Sequence, residues 1–539
     1  MGTKNLNSAT DLITFTRASG GTALRKISYG NELVTNGDFS SGTTGWVDGT
    51  NWSGALDASS GKLLITSDSS NGYGCAIQGV PLVVGKAYRL TGSRRAVSGG
   101  NPAIGVSNSA GAVQVVLLSG SASTVTNYFS VTFVASSTFS LCLFNQSPTN
   151  GNSSEFDNIS VKEVLFDQAD GTLQLFNHGN NVPRIEYDAT GAVKGLLIEE
   201  ARTNLYLNSS DTSTNSSFGI TKTSDSAVSP DGTTTADLIT PDTSYPRHLF
   251  QYSSSYSAGD GSKETYSFYA KSNGYNLIEV SQRNQNGGTI TKFDLSAVTA
   301  TTTGGTEILK SIEDVGNGWY RCSAAYITSS VRPYPAIEFL DTDGSQGFVP
   351  DGTSGIYFWG HQLEAGGFPS SYIPTSGSTA TRAADIATIP TSAFGYNQKV
   401  GSVVVEFNSN KPNNEQYGAF GLSDGSPTNR IAYYATSVNT LVVTTAGVGQ
   451  VELNAGLRVT TSELVKFSAG YAENDFAASL NGATTVTDTS GTVPSGISSL
   501  GIGHYYPPNP SSNLINGHIK SIKYYPRRLT NAQLQELTT

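Results

Sequence analysis

The spacing of its turns constrains this chain more than any other feature. From residue 401 onward, apolar stretches follow one another: GSVVVEF, YGAFGLS, RIAYYAT, TLVVTTA, LVKFSAGYA, DFAASLNG, SLGIGHY and GHIKSIKYY. A few turn residues separate each from the next. Such runs are short and rich in β-branched and aromatic residues, which suit a pleated, half-buried surface. One segment carries a convincing helix start. In RLTNAQLQEL, Thr530 stands at the N-cap with Gln533 three residues on, and Leu529 and Leu534 hold the staple positions. The chain is therefore expected to be all-β: three consecutive β-sandwich (jelly-roll) domains with short connectors and one short C-terminal helix.

Charge narrows the partners. With 42 acidic against 32 basic residues the formal net charge is −10, which argues against nucleic acid, since phosphate binding needs clustered cations. No apolar run approaches the roughly 18 residues of a membrane span, so no membrane insertion is expected. The opening MGTKNLNSATDLITF has no apolar signal-peptide core, and Leu6 occupies the Ser/Thr position of the myristoylation pattern. The composition looks extracellular without a visible secretion signal, which suits a component released by cell lysis. Cys75, Cys142 and Cys322 are an odd set at wide separations and are expected as buried free thiols.

Two stretches share an order of features. One runs from NELVTNGDFSSGTTGW to EFDNISVKEV, the other from TNLYLNSSDTS to GIYFWGHQLEAG. Each has a middle strand (AYRLTGSRRA, TYSFYAKSNG) and a later one (NYFSVTFVAS, WYRCSAAYIT). The expected division is a segment 1–30, a first sandwich 31–164, a connector with a β-hairpin 165–203, a second sandwich 204–376, a linker 377–399 and a third sandwich 400–539. Segments 1–30 and 165–203 are expected to pair, with the first sandwich inserted between them.

The strings GLLIEEARTNLYLNSS, SPDGTTTADLI, IEDVGNGWYRCS and FWGHQLEAGGFPSSYIPTSGSTATRAAD, with the short FTRAS near the start, closely resemble a family of bacteriophage virion proteins: head spikes, head fibres and tail fibres. Residues 31–164 are similar to jelly-roll carbohydrate-binding modules, through LVTNGDFSSGTTGW and FDNISVKEV. Residues 400–539 resemble a concanavalin-type, laminin-G-like jelly roll, through GHIKSIKYYPRRLTNAQLQEL. The resemblance implies a virion protein whose segment 1–30 docks to other virion proteins. It also implies a homo-oligomer, a trimer by analogy with fibres, and a host cell-surface glycan as ligand.

Candidate chemistry is sparse. In EFDNISVKEV, strand alternation puts Glu155, Asp157, Ile159 and Val161 on one face, which points Asp157 inward. A catalytic carboxylate pair is conceivable there, but the expected role is structural. Asp157 is satisfied by hydrogen bonds or by a structural calcium with loop carbonyls; no other cofactor is expected. LDTDGSQGFVPDG begins like a calcium loop yet lacks the closing glutamate, so Asp341, Asp343 and Asp351 are expected to cap turns. The most suggestive loop is HYYPPNPSSN (504–513). His504, Tyr505, Tyr506 and Asn509 offer aromatic faces and polar partners suited to a sugar. The alternative is packing on a neighbouring domain or subunit. Tyr245 and Trp52 are secondary glycan candidates, whereas Trp46 is expected in the core. No catalytic residues are expected. The functional expectation is an adhesive virion spike or fibre. The alternatives are a cell-surface carbohydrate-binding protein and a polysaccharide-degrading enzyme.

Overall fold

The computed structural model describes residues 12–49, 54–68, 73–107, 113–120, 122–135, 140–252, 261–282, 289–304, 307–327, 335–413, 415–458, 463–505 and 513–539. The chain divides into two compact units. One comprises residues 26–172, and the other residues 1–25 with 173–539.

In the unit 26–172, Ala87–Ser98 is the centre of one sheet, flanked by Asn127–Val134 and Ser153–Phe166. A second sheet runs Val47–Asp48, Gly74–Gly79, Ser140–Asn145, Pro102–Ser107 and Val113–Leu118. Between them lie Phe39, Trp46, Leu63, Ile65, Leu90, Ile104, Leu143, Phe156, Ile159 and Val161. The reading of Asp157 is corrected here. A β-bulge falls between Asp157 and Ser160, and Asn158 takes a positive φ of 55°. The extra residue reverses the alternation, so Phe156 joins Ile159 and Val161 in the core while Glu155 and Asp157 are half-buried on the other face. Asp157 Oδ1 accepts the Asn158 amide at 2.7 Å. Glu155 pairs with Arg95 at 2.8 Å and Lys62 at 3.1 Å. The cysteine expectation is also corrected. Cys75 and Cys142 lie diagonally on hydrogen-bonded neighbouring strands and form a disulfide, leaving Cys322 free and buried.

The larger unit contains two sandwiches. In the first, Gly355–Ala365 and Lys263–Asn273 are central strands of one sheet, and Pro335–Phe339 and Leu277–Gln282 of the facing sheet. Its core is aromatic, with Tyr206, Tyr252, Tyr266, Phe268, Phe293, Phe339 and Phe358. Asp341, Asp343 and Asp351 each accept nearby backbone amides, at 2.7–2.8 Å, as turn caps do.

The second is built from two seven-stranded sheets, and each recruits distant chain. Thr14–Thr16 pairs with Ile386–Pro390 in the sheet that continues through Ser499–Ile502, Tyr417–Ser423, Arg430–Ala435, Val438–Thr445 and Val448–Leu457. The hairpin Ile185–Tyr187 and Val193–Ile198 joins the other sheet beside Gly517–Tyr525. Gly21–Glu32 is a neighbour of Thr172–His178. The described part of ITFTRAS is thus committed to the chain's own sheet. Thr14–Thr16 is the edge strand of that sheet, and residues 1–11 lie outside the described residues. The helix Asn531–Glu536 has the expected capping box, with Leu534 buried beneath it.

A buried charge network ties these pieces together. Arg17 Nη1 lies 3.1 Å from Asp385 Oδ1, and Arg184 Nη2 2.5 Å from Asp385 Oδ2. Arg184 also reaches Glu199 at 2.8 Å, and Arg382 lies 3.5 Å from the same carboxylate. Ser371 donates both its amide and hydroxyl to Glu199 at 2.7 Å. Burial alone would raise the pKa of Glu199; Arg382 and Arg184 outweigh it and hold the carboxyl at about 2.

Candidate ligand-binding face of the third sandwich

In RIAYYA, alternation sends Ile431 and Tyr433 into the core and Arg430, Ala432 and Tyr434 to the outer face. Register then places Thr444 opposite Arg430, Val442 opposite Ala432 and Thr440 opposite Tyr434. One strand further, Glu452 stands opposite Val442. On the other flank, Gly418 pairs with Tyr434 and Gly421 with Ala432. These glycines leave the sheet surface bare. A Cβ on Gly418 would come 2.5 Å from the Tyr505 nitrogen, and one on Gly421 would come 2.1 Å from the Tyr505 carbonyl oxygen. The backbone at Tyr505 therefore lies directly on the sheet, as only glycine permits.

That seating turns Tyr505 toward Arg430 and Tyr434. The Arg430 guanidinium sits 5.2 Å from the Tyr505 ring centroid, and the two tyrosine rings are 6.3 Å apart. The Tyr505 hydroxyl accepts from Asn513 Nδ2 at 2.5 Å. Tyr434 donates its hydroxyl to Glu452 at 3.4 Å, and burial followed by the Glu452 charge raises its pKa. Between Arg430, Tyr434, Thr444, Glu452, Gln416 and Tyr505 is a groove of about 530 Å³. Ring faces beside a guanidinium, a carboxylate and hydroxyls can stack on an apolar ligand face while exchanging hydrogen bonds with its rim.

Of the sequence candidates, Tyr505 lies in this groove. His504 does not: it is buried, with Nε2 3.2 Å from the Ala387 carbonyl and its ring over Gly501, where a Cβ would come 2.5 Å from it. It is an anchor rather than a ligand contact. Tyr245 is on the other sandwich, half exposed, its ring 5.6 Å from that of Phe218. Tyr506, Asn509 and Trp52 lie outside the described residues. Arg430, Tyr434 and Glu452 were not singled out from the sequence, although the alternation in RIAYYA already places two of them outward.

A second cleft, of about 480 Å³, contains Glu186, Lys194, Glu313 and His518. Here the charges answer one another. Lys194 lies 2.8 Å from Glu313 and 3.5 Å from Glu186, and His518 Nε2 is 2.6 Å from Glu186. A ligand would have to break these pairs, so the outer face is the better candidate. Among the described residues no group of three or more His, Cys, Asp or Glu is placed to hold a metal ion, and no helix is long and apolar enough to cross a membrane.

No family model and no curated protein matches the chain. Among solved structures, a CBM22 tandem domain from Paenibacillus barcinonensis Xyn10C is 13% identical over 62% of this chain and 98% of its own, with a TM-score of 0.22. Domains LG4-5 of the mouse laminin α1 chain are 10% identical over 64% and 96%, with a TM-score of 0.19. Trypanosoma rangeli sialidase is 10% identical over 88% and 82%, with a TM-score of 0.23. Likenesses at these scores carry no argument about what this chain does.

Proposed function

We propose that this chain is a structural protein of a bacteriophage virion, a head or tail spike or fibre. Its third sandwich would bind a host-surface glycan in the groove between Tyr434 and Tyr505. The virion assignment is supported by the long strings that resemble those of phage spike and fibre proteins. The glycan assignment is carried by one observation: Gly418 and Gly421 clear the sheet so that Tyr505 stands beside Tyr434, Arg430 and Glu452 over an open groove. No catalysis is required of it. A millimolar site is worth about 4 kcal/mol, and display in many copies raises avidity by roughly 10²–10⁴.

The experiment is the double variant Tyr434→Ala, Tyr505→Ala in assembled particles. Folding and incorporation should be unchanged, while adsorption to the host falls at least tenfold. Adsorption equal to that of the parent would remove the groove from the reading. Absence of the protein from purified virions would instead favour a carbohydrate-binding protein of a cell surface.

A further inference from the structure

Side chains on three separate segments meet beyond the end of the hairpin: Lys411 and Asn516 are buried and Glu200 is partly exposed, and Lys411 Nζ also donates to the Gln416 carbonyl at 3.2 Å. Lys411 follows the strand Val400–Phe407, and Asn516 precedes Gly517–Tyr525, its neighbour in the sheet. The backbone continues this pairing, with the Asn410 amide donating to the Asn516 carbonyl at 2.9 Å. Lys411 and Asn516 are 3% and 2% exposed. Glu200, just beyond the hairpin, reaches both. Its Oε2 lies 3.3 Å from Lys411 Nζ and accepts from Asn516 Nδ2 at 2.9 Å. Its other oxygen, Oε1, is held by Arg202 Nε at 2.8 Å, which fixes the carboxylate. The Glu200 backbone amide donates to Asn516 Oδ1 at 2.7 Å.

We propose that Lys411 and Asn516 form an intramolecular isopeptide bond, with Glu200 relaying the proton. A buried amine, a carboxamide, a carboxylate touching both, and an N–H donor on the carboxamide oxygen are the parts this acyl transfer needs. Burial lowers the pKa of Lys411 and favours the neutral, nucleophilic amine. Glu200 Oε2 takes a proton from the Lys411 ammonium, and Nζ attacks Asn516 Cγ. The new C–N bond forms, and the Glu200 N–H stabilises the charge on Oδ1. Glu200 then returns the proton to Nδ2 and takes the second proton from Nζ; the Cγ–Nδ2 bond breaks, and the departing ammonia collects that proton from Glu200 and leaves as ammonium. No oxidant or second reactant is consumed. The product joins the ends of two adjacent strands covalently, closing the third sandwich.

Asn516 precedes Gly517, and an Asn-Gly pair can also lose ammonia by cyclising on its own backbone, so the test must separate the two. The full chain is purified folded, denatured, reduced to open the Cys75–Cys142 disulfide and weighed intact, then digested and its peptides sequenced by mass spectrometry. The expected result is a mass about 17 Da below that of the sequence, the loss of one ammonia on amide formation, and a branched peptide joining Lys411 to Asn516. Lys411→Arg and Glu200→Gln should each restore the full mass. A parent protein with its full sequence mass overturns the proposal. So does an ammonia loss that persists in Lys411→Arg, which would assign it to backbone cyclisation.

Discussion

His361 is fully buried, its ring stacked on Tyr206 at a centroid distance of 5.1 Å, with Nδ1 2.8 Å from the Tyr266 hydroxyl. Nε2 has no partner among the described residues. Burial therefore pushes its pKa down from 6.5 to about 3. The unfolded chain binds a proton near pH 6.5 that the folded chain refuses, so the stability due to this residue is complete above that pH and is lost as pH falls toward 3. The slope is about 1.4 kcal/mol per pH unit. His178, depressed well below its usual value by burial and nearby arginines, adds in the same direction. Glu199 acts in a lower window, between the ordinary 4.5 and its folded value of about 2. Urea unfolding of His361→Phe should show about 2 kcal/mol less stability loss between pH 6.5 and 5 than the parent. An unchanged pH dependence would show that the ring is protonated without penalty. The groove, lined by half-exposed side chains, should be unaffected by this substitution.

Gly418 and Gly421 let one segment of the chain lie directly on another. Gly421→Val should force Tyr505 off the sheet, since even a Cβ would stand 2.1 Å from its carbonyl oxygen. Host adsorption, the readout of the proposed site, should fall as far as in the tyrosine double variant. The melting temperature should drop as well, because the atoms in the way are the Tyr505 backbone beside the buried His504. Full adsorption with Gly421→Val would mean that the seating of Tyr505 does not shape the site. The strands around this site were legible in the sequence, since RIAYYAT and its neighbours are short apolar runs set off by turn residues, and so was the capped helix after Thr530. The inward reading of Asp157 failed because a one-residue bulge at Asn158 leaves no mark in alternation. The disulfide was hidden because Cys75 and Cys142 meet only when strands 67 residues apart pair. The groove was half legible: Tyr505 stood out for its neighbours, while Arg430 and Glu452 come from strands whose register the sequence does not state.

At the scale of the molecule, several of the strings that carry the resemblance meet in the fold. Arg17 of FTRAS, Glu199 of GLLIEEARTN, Ser371 of PSSYIP, and Arg382 and Asp385 of TRAAD meet around Arg184 of VPRIE in one buried network. Its members lie in the opening segment, the hairpin, the end of the middle sandwich and the linker, so it fixes how these parts of the larger unit join. All of them belong to residues 1–25 or 173–539. The unit 26–172 contributes none, and should be removable. Replacing 26–172 by a short Gly/Ser linker should leave a soluble, cooperatively unfolding protein. Asp385→Ala in the full chain should be far more damaging, because Arg17 and Arg184 lose a shared partner at zero exposure. Breaking such a buried pair costs about 3–5 kcal/mol. Chemical denaturation followed by tryptophan fluorescence and near-ultraviolet circular dichroism checks both. Because Trp319 and Trp359 are buried in the larger unit, their signal reports its unfolding after the excision. If the excised protein unfolds while Asp385→Ala stays as stable as the parent, the network is not what joins the larger unit, and the inserted sandwich is.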